Sequence, residues 1–122
     1  MLELIKKKYP TAICWSFGDN PQLADELAQL VVERKKTATC SSLSGFFSDP
    51  VTPTIGGYNI ILNSHGVPIC VIRTRSLTLV RFSEVTEQLA RKEGEGDLSL
   101  SYWQQGHKEF FMREGTYSPD ME

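Results

Sequence analysis

The 122-residue sequence predicts an α+β domain, and three observations carry that reading. The runs "YNIILN" (58–63) and "PICVIRT" (68–74) flank "SHGV", with Gly66 at the turn, which is the pattern of a β-hairpin. Upstream, Leu23, Leu27, Leu30 and Val31 recur at helical spacing. Downstream lie two more helical stretches, one carrying Val85, Leu89 and Ala90 and one carrying Leu100, Trp103, His107, Phe110 and Phe111. They stop at Gly94 and Gly115, residues suited to a left-handed helix end.

Taken in order, the first helix starts at Asn20, a capping side chain, with Pro21 in its first turn. Asp25 and Glu26 sit early and Arg34, Lys35 and Lys36 late, as the helix dipole favours, so the helix should end near Arg34. Residues 38–55 read as a long loop anchored by Phe46 and Phe47, and a loop of that length inside a small domain is often functional. "SLTLVRF" (76–82) alternates and is expected to continue the sheet. Ser83 or Thr86 opens the next helix and Ser99 caps the last. The simplest architecture is a β-rich core with helices around it, whose sheet needs closure or edge protection.

Composition narrows the function. The length suits one domain over 1–122. Thirteen Lys and Arg against fifteen Asp and Glu give a formal charge of −2, unlike a protein that holds long nucleic acid along a broad basic face. A nucleic-acid partner would be gripped in a pocket, with local help from Arg34, Lys35, Lys36, Arg73 and neighbouring cations. No apolar stretch approaches the ~20 residues of a membrane span. No signal peptide is legible, and Cys14, Cys40 and Cys70 form no CxxC pair, so a reducing cytoplasm is expected. There is no glycine-rich phosphate loop, no nucleophile elbow and no metal-ligand spacing, so no cofactor and no metal are expected. His65 falls in the hairpin turn. His107 falls on an aromatic helix face, where a hydrogen-bonded core residue is the expectation.

Two stretches carry candidate chemistry. In "ERKKTATCSS" (33–42), Lys36 and Thr39 are three residues apart, an amine and a hydroxyl that an extended or turning segment can bring to one pocket, with Lys35 as a neighbouring cation. A helix end followed by a polar loop explains most of the stretch equally well. In "KEGEGDLSLSYW" (92–103), Glu93, Glu95 and Asp97 alternate with glycines between two helices. A polar turn with good glycine chemistry is the default reading; in the sharper one, Glu93 at a helix C-terminus favours its protonated form and exchanges protons with Lys36 or a substrate. Tyr102 offers a ring for stacking and a hydroxyl that asks for a polar neighbour.

The segments "FGDNPQLADELAQLV", "KKTATCSSL", "FSEVTEQLARKEGEGDLSLSYW" and "HKEFF" together resemble bacterial ASCH-domain proteins, in order and spacing, from about Trp15 to Asp120. The resemblance implies a small PUA-like β-barrel flanked by helices, and a pocket for RNA or a nucleoside. Some relatives deacetylate 4-acetylcytidine with a lysine, a threonine three residues later and a glutamate after the strands; others, with the longer "EGEGD" and "YW" segments, are ribonucleases. Carried over, the catalytic residues are Lys36, Thr39 and Glu93, with Thr39 attacking, Lys36 taking its proton and Glu93 holding or relaying protons. Lys35, Ser41, Arg73, Glu95 and Tyr102 are the expected substrate contacts. A non-catalytic RNA-binding module regulating translation is the alternative. This chain departs from the family pattern with Arg34 where many members have glycine, with Gly56-Gly57 where many have Gly-Asp, and in stopping at Glu122 before a final apolar strand. The last departure would leave an open sheet edge and favours a homodimer.

Overall fold

A computed structural model of the chain describes residues 2–49, 51–118 and 121. The chain folds as two units, residues 1–32 with 51–78 and residues 33–50 with 79–122.

The first unit is organised by β2 (Tyr58–Leu62), whose residues Asn59, Ile60 and Ile61 are all buried. It is the middle strand of a three-stranded sheet: β1 (Ile13–Trp15) pairs with it in parallel and β3 (Pro68–Arg73) antiparallel. A strand with neighbours on both edges and packing on both faces reads as a continuous apolar run, as "NIIL" does. The β2–β3 hairpin turns at Gly66, whose φ of 74° is the left-handed conformation that glycine adopts without penalty. A short α1 (Leu2–Lys8) precedes β1. Helix α2 (Pro21–Val32) is capped as its sequence suggests, with the Asn20 side chain accepting from the Leu23 N–H at 2.9 Å. Its small residues Ala24 and Ala28 are buried, and Ala28 packs with Phe17 and Ile61 in a core flanked by Trp15, Leu27, Val31, Cys70 and Ile72.

Asn59 is the polar residue in that core. It accepts from Trp15 Nε1 at 3.0 Å and donates to Thr74 Oγ1 at 3.0 Å, tying β1 and the end of β3 to the central strand.

The second unit holds α3 (Leu43–Ser48), a 3-10 turn (Phe82–Glu84), α4 (Glu87–Glu93) and α5 (Leu100–Glu114). Each α-helix starts on a hydroxyl cap: Ser42 accepts from Gly45 N–H, Thr86 from Leu89 N–H and Ser99 from Tyr102 N–H. Its core is Val85, Ala90 and Trp103, with Cys40, Val80, Phe82, Leu89 and Leu100 packed against them.

The α+β class, the hairpin and the helices after Asn20, Thr86 and Ser99 stand as expected, and the long loop contains α3. The strand expected over 76–82 is not formed. Val80 and Phe82 instead pack on the core around Trp103, and the Phe82 N–H donates to the Met121 carbonyl at 2.8 Å rather than to a sheet neighbour. The expectation about the C-terminal edge falls partly on Pro119, Asp120 and Glu122, outside the described residues.

Asn59→Ala leaves the Trp15 indole N–H without its acceptor inside the sheet. It should lower the unfolding free energy by about 1–3 kcal/mol, measured by urea denaturation. A change below about 0.5 kcal/mol, the range of neutral surface substitutions, would mean that the asparagine bridges carry no load.

Candidate functional site

Residues 35–42 form neither helix nor strand, but the burial of their side chains alternates. Lys35, Thr37, Thr39 and Ser41 are exposed, whereas Lys36 and Ser42 are buried and Ala38 and Cys40 are partly so. The segment is clamped to the end of α4: the N–H groups of Thr37 and Ala38 both donate to the Lys92 carbonyl, at 2.6 and 3.1 Å. Gly94 makes that approach possible. It ends α4 in the left-handed conformation (φ 71°), and a Cβ there would collide with the Lys35 carbonyl.

The clamp turns Lys36 inward onto Glu93, 57 residues away in sequence. The Lys36 ammonium lies 3.3 Å from Glu93 Oε1 and 3.1 Å from Glu95 Oε2. The two side chains of the first pair are 2% and 1% exposed, while Glu95 is 24% exposed, so Glu95 is the member that solvent reaches. The other Glu93 oxygen, Oε2, accepts from Trp103 Nε1 and faces His107 Nε2 at 3.3 Å. The Cys40 thiol also donates to Glu93.

Helix α5 sets the histidine. Trp103 and His107 are one turn apart, their rings stack at 4.2 Å and 17°, and His107 Nδ1 lies 3.0 Å from the Trp103 carbonyl. A carbonyl only accepts, so Nδ1 carries a hydrogen. The other ring nitrogen, Nε2, faces the Glu93 carboxylate.

Burial pushes the Glu93 carboxyl up, but the His107 hydrogen bond, the Lys36 charge, the His107 charge and the Trp103 N–H together outweigh it, and the group is held below the usual carboxylate value. This reverses the expectation of a protonated Glu93: the donors arrayed around the carboxylate win over both burial and the helix end. Burial, followed by the charge of Glu93, pushes the Cys40 thiol up to about 12, so Cys40 stays a neutral donor.

Glu93, Glu95 and His107 bring ligand atoms within 4.8 Å of one another, close enough for a metal. The position between the two carboxylates is already filled by the Lys36 ammonium, which supplies the positive charge that a metal would.

A model of the ASCH domain matches residues 13–122 of the sequence. The chain belongs to the ASCH-domain family. Among solved structures, the ASCH domain from Lactobacillus crispatus JV V101 is similar with a TM-score of 0.84 and 31% identity, over 97% of this chain and 78% of that one. A protein from Enterococcus faecalis V583 is similar with a TM-score of 0.83 and 33% identity, over 98% of this chain and 78% of that one. No curated protein matches the chain. No helix among the described residues is long and apolar enough to cross a membrane.

Within this ASCH domain, the residues singled out by sequence separate into groups. Lys36, Glu93 and Glu95 meet. Thr39 and Ser41 are exposed, whereas Lys36 is buried. Lys35 is also exposed and pairs with Glu33 at 3.2 Å. Tyr102 is half exposed, and its ring covers Gly96, where a side chain would collide with it. Arg73 belongs to the first unit, where its Nε donates to the Gly56 carbonyl at 3.3 Å. Sequence reasoning missed His107, Trp103 and Cys40 as partners of Glu93. The spacing of Trp103 and His107 by one turn was the available signal, but an aromatic helix face reads first as core.

Arg34 adopts φ 63°, a left-handed conformation that disfavours every residue except glycine and, to a lesser degree, asparagine and aspartate. This explains in physical terms why a glycine suits the position. Arg34→Gly removes a penalty of roughly 1–2 kcal/mol while giving the unfolded chain roughly 0.5–1 kcal/mol of extra freedom, so stability should rise by up to about 1 kcal/mol in thermal unfolding. A clear loss would show that the Arg34 side chain contributes more than its backbone costs.

Glu93 also sets an acid limit. A carboxyl held low in the folded state stabilises fully above its ordinary value of 4.5, and the contribution disappears as pH falls through the lower folded value. Stability should therefore drop on acidification below the ordinary value. Glu93→Gln should lower stability at neutral pH and flatten the acid slope, in denaturant titrations run down to about pH 3. Equal slopes in both proteins would remove Glu93 as the acid-sensitive group.

Proposed function

We propose that the protein binds RNA or a nucleoside derived from it and hydrolyses a bond in that ligand at the Lys36–Glu93–Glu95 cluster. The observation that carries this reading is a buried ammonium held between two carboxylates, one sealed and one open to solvent. A charge cluster inside a domain is a poor means of stabilising a fold, because desolvation offsets much of the attraction. It is a good means of presenting fixed charge to a reacting group in a site that excludes water.

The exposures assign the roles. Glu95 is the carboxylate that a substrate meets, and it takes a proton from a water or a sugar hydroxyl. Lys36 is a donor while it is ion-paired; its positive charge stabilises the oxyanion of an acyl group or the charge on a phosphoryl group. Glu93, gripped by Trp103, Cys40 and His107, fixes the ammonium in place. Tyr102, half exposed above Gly96, offers its ring to a base. Thr39, the nucleophile that family resemblance implies, is an exposed hydroxyl three residues from Lys36. In this reading a water activated by Glu95 is the attacking group.

The second reading, an RNA-binding module without catalysis, draws on a different observation. Every buried side-chain nitrogen and oxygen among the described residues has a partner, so the cluster is complete as a structural element without a substrate.

One set of assays separates the two. The protein is mixed with 4-acetylcytidine and, separately, with labelled single-stranded RNA, as wild type and as Glu95→Gln, Glu93→Gln and Thr39→Val, with folding checked by circular dichroism. Hydrolysis should be lost by about 100-fold or more in Glu95→Gln and fall less than about ten-fold in Thr39→Val, the range of one positioned acid–base group against an indirect contact. A loss in Thr39→Val as large as in Glu95→Gln would return the nucleophile's role to the threonine. RNA binding without turnover of either substrate would establish the binding module.

A further inference from the structure

The outward face of the same clamp is a second feature that the hydrolytic reading does not use. Arg34, Lys35 and Thr37 from one side, and Glu87, Arg91 and Lys92 from α4, line an open cleft of about 510 Å³, with no apolar side chain in its lining. The volume lies in the range of small-ligand sites, but the lining does not suit an apolar ligand. Among the described residues it gathers four cationic side chains against the single carboxylate of Glu87.

Two of these cations have a local explanation. Arg91 and Lys92 lie in the last turn of α4, where the helix dipole favours positive charge. Arg34 and Lys35 come from outside α4, and Lys35 already meets Glu33. They lie beyond the end of α2 and are brought beside Arg91 and Lys92 by the backbone clamp on the Lys92 carbonyl. Like charges gathered in this way repel one another unless an anion joins them. Arg34 enters the cleft from a left-handed backbone conformation, which adds strain to repulsion. Of the carboxylates nearby, Glu87 meets Arg91 at 3.3 Å and Glu33 meets Lys35 at 3.2 Å, both pairs lying at the surface. Exposed pairs of this kind exchange readily for a better anion.

We infer that this cleft binds the phosphate of a nucleotide or of single-stranded RNA, with Arg34 and Arg91 as its principal donors. A guanidinium offers a planar fork that matches phosphate oxygens. The inference rests on the nucleic-acid reading above and sharpens it. Lys36 lies between the cleft residues Lys35 and Thr37 in sequence, so a substrate carrying phosphate is held at the cleft while Glu95 and Lys36 meet its reacting part. The protein then prefers a phosphate-bearing substrate over a bare nucleoside.

The test compares the affinity for cytidine 5′-monophosphate with that for cytidine, by calorimetry, in wild type and in the double variant Arg34→Gln/Arg91→Gln. Short single-stranded RNA is titrated at several salt concentrations, and inorganic phosphate serves as a third probe. Both arginines are exposed, so thermal unfolding should show a folded double variant. The ratio of nucleotide to nucleoside affinity should fall by about ten-fold, as expected for loss of charge-assisted hydrogen bonds to phosphate. The slope of log affinity for RNA against log salt should shrink by about 1.4, for two lost phosphate contacts on a single strand. Arg34→Gly should bind the nucleotide more weakly while being no less stable than wild type.

An unchanged ratio with an unchanged salt slope overturns the inference and leaves the hydrolytic reading standing if wild type still turns over its substrate. An equal loss for nucleotide and nucleoside overturns it too, as a general structural effect. Inorganic phosphate bound as tightly as the nucleotide would make the cleft a plain anion site and overturn it. A wild type that binds neither nucleoside, nucleotide nor RNA overturns both readings.

Discussion

The Glu93 carboxylate is the point on which the second unit is built. Four donors converge on it among the described residues: the Lys36 ammonium, the Trp103 indole, the His107 imidazole and the Cys40 thiol. They come from the segment 35–42 and from α5, and Glu93 itself ends α4. A buried carboxylate without partners would be neutralised by desolvation. With four donors it stays ionised, and each donor is held where its own hydrogen bond is satisfied. Removing one partner of such a group costs about 3–5 kcal/mol, so the cluster fixes the geometry of its surroundings whether or not it adds net stability.

That constraint also divides the surface of the site. Along 35–42, whose backbone is bonded to Lys92, exposed and buried side chains alternate. Lys36 is committed to the carboxylates, while Lys35, Thr37 and Thr39 face solvent. Glu95 is the contact between the two environments: one of its oxygens touches the ammonium, yet the side chain is partly exposed. The glycines of the 94–96 loop make this possible. Gly94 lets the loop lie against the Lys35 carbonyl and Gly96 leaves room for the Tyr102 ring, so the same turn seals Glu93 and presents Glu95.

What was legible in the sequence was local. Asn20, Thr86 and Ser99 announce helix starts because their side chains bond to backbone within three residues, and Gly66 announces the hairpin because its conformation is almost its own. The "ICW" strand was not legible, since three residues carry no periodicity and its pairing with Asn59–Ile61 is long-range. The run 76–82 was misread for the complementary reason: alternation is necessary for a strand but not sufficient, and Val80 and Phe82 found a helical core instead. The meeting of Lys36 with Glu93 came from family resemblance, because nothing in two polar residues 57 positions apart marks them as partners. Resemblance also grouped Thr39 with them, and no apolar pattern in "KKTATC" marks it.

A double-mutant cycle between Lys36→Met and Glu93→Gln, read as unfolding free energies in denaturant, bears most directly on the claim that this ion pair organises the unit. Each single variant leaves a buried charge or donor without its partner, and the double variant removes both. The expected coupling is about 2–3 kcal/mol, with the double variant less damaged than the two single losses added together. Additive losses, with coupling below about 0.5 kcal/mol, would show that Lys36 and Glu93 act independently and would contradict the account.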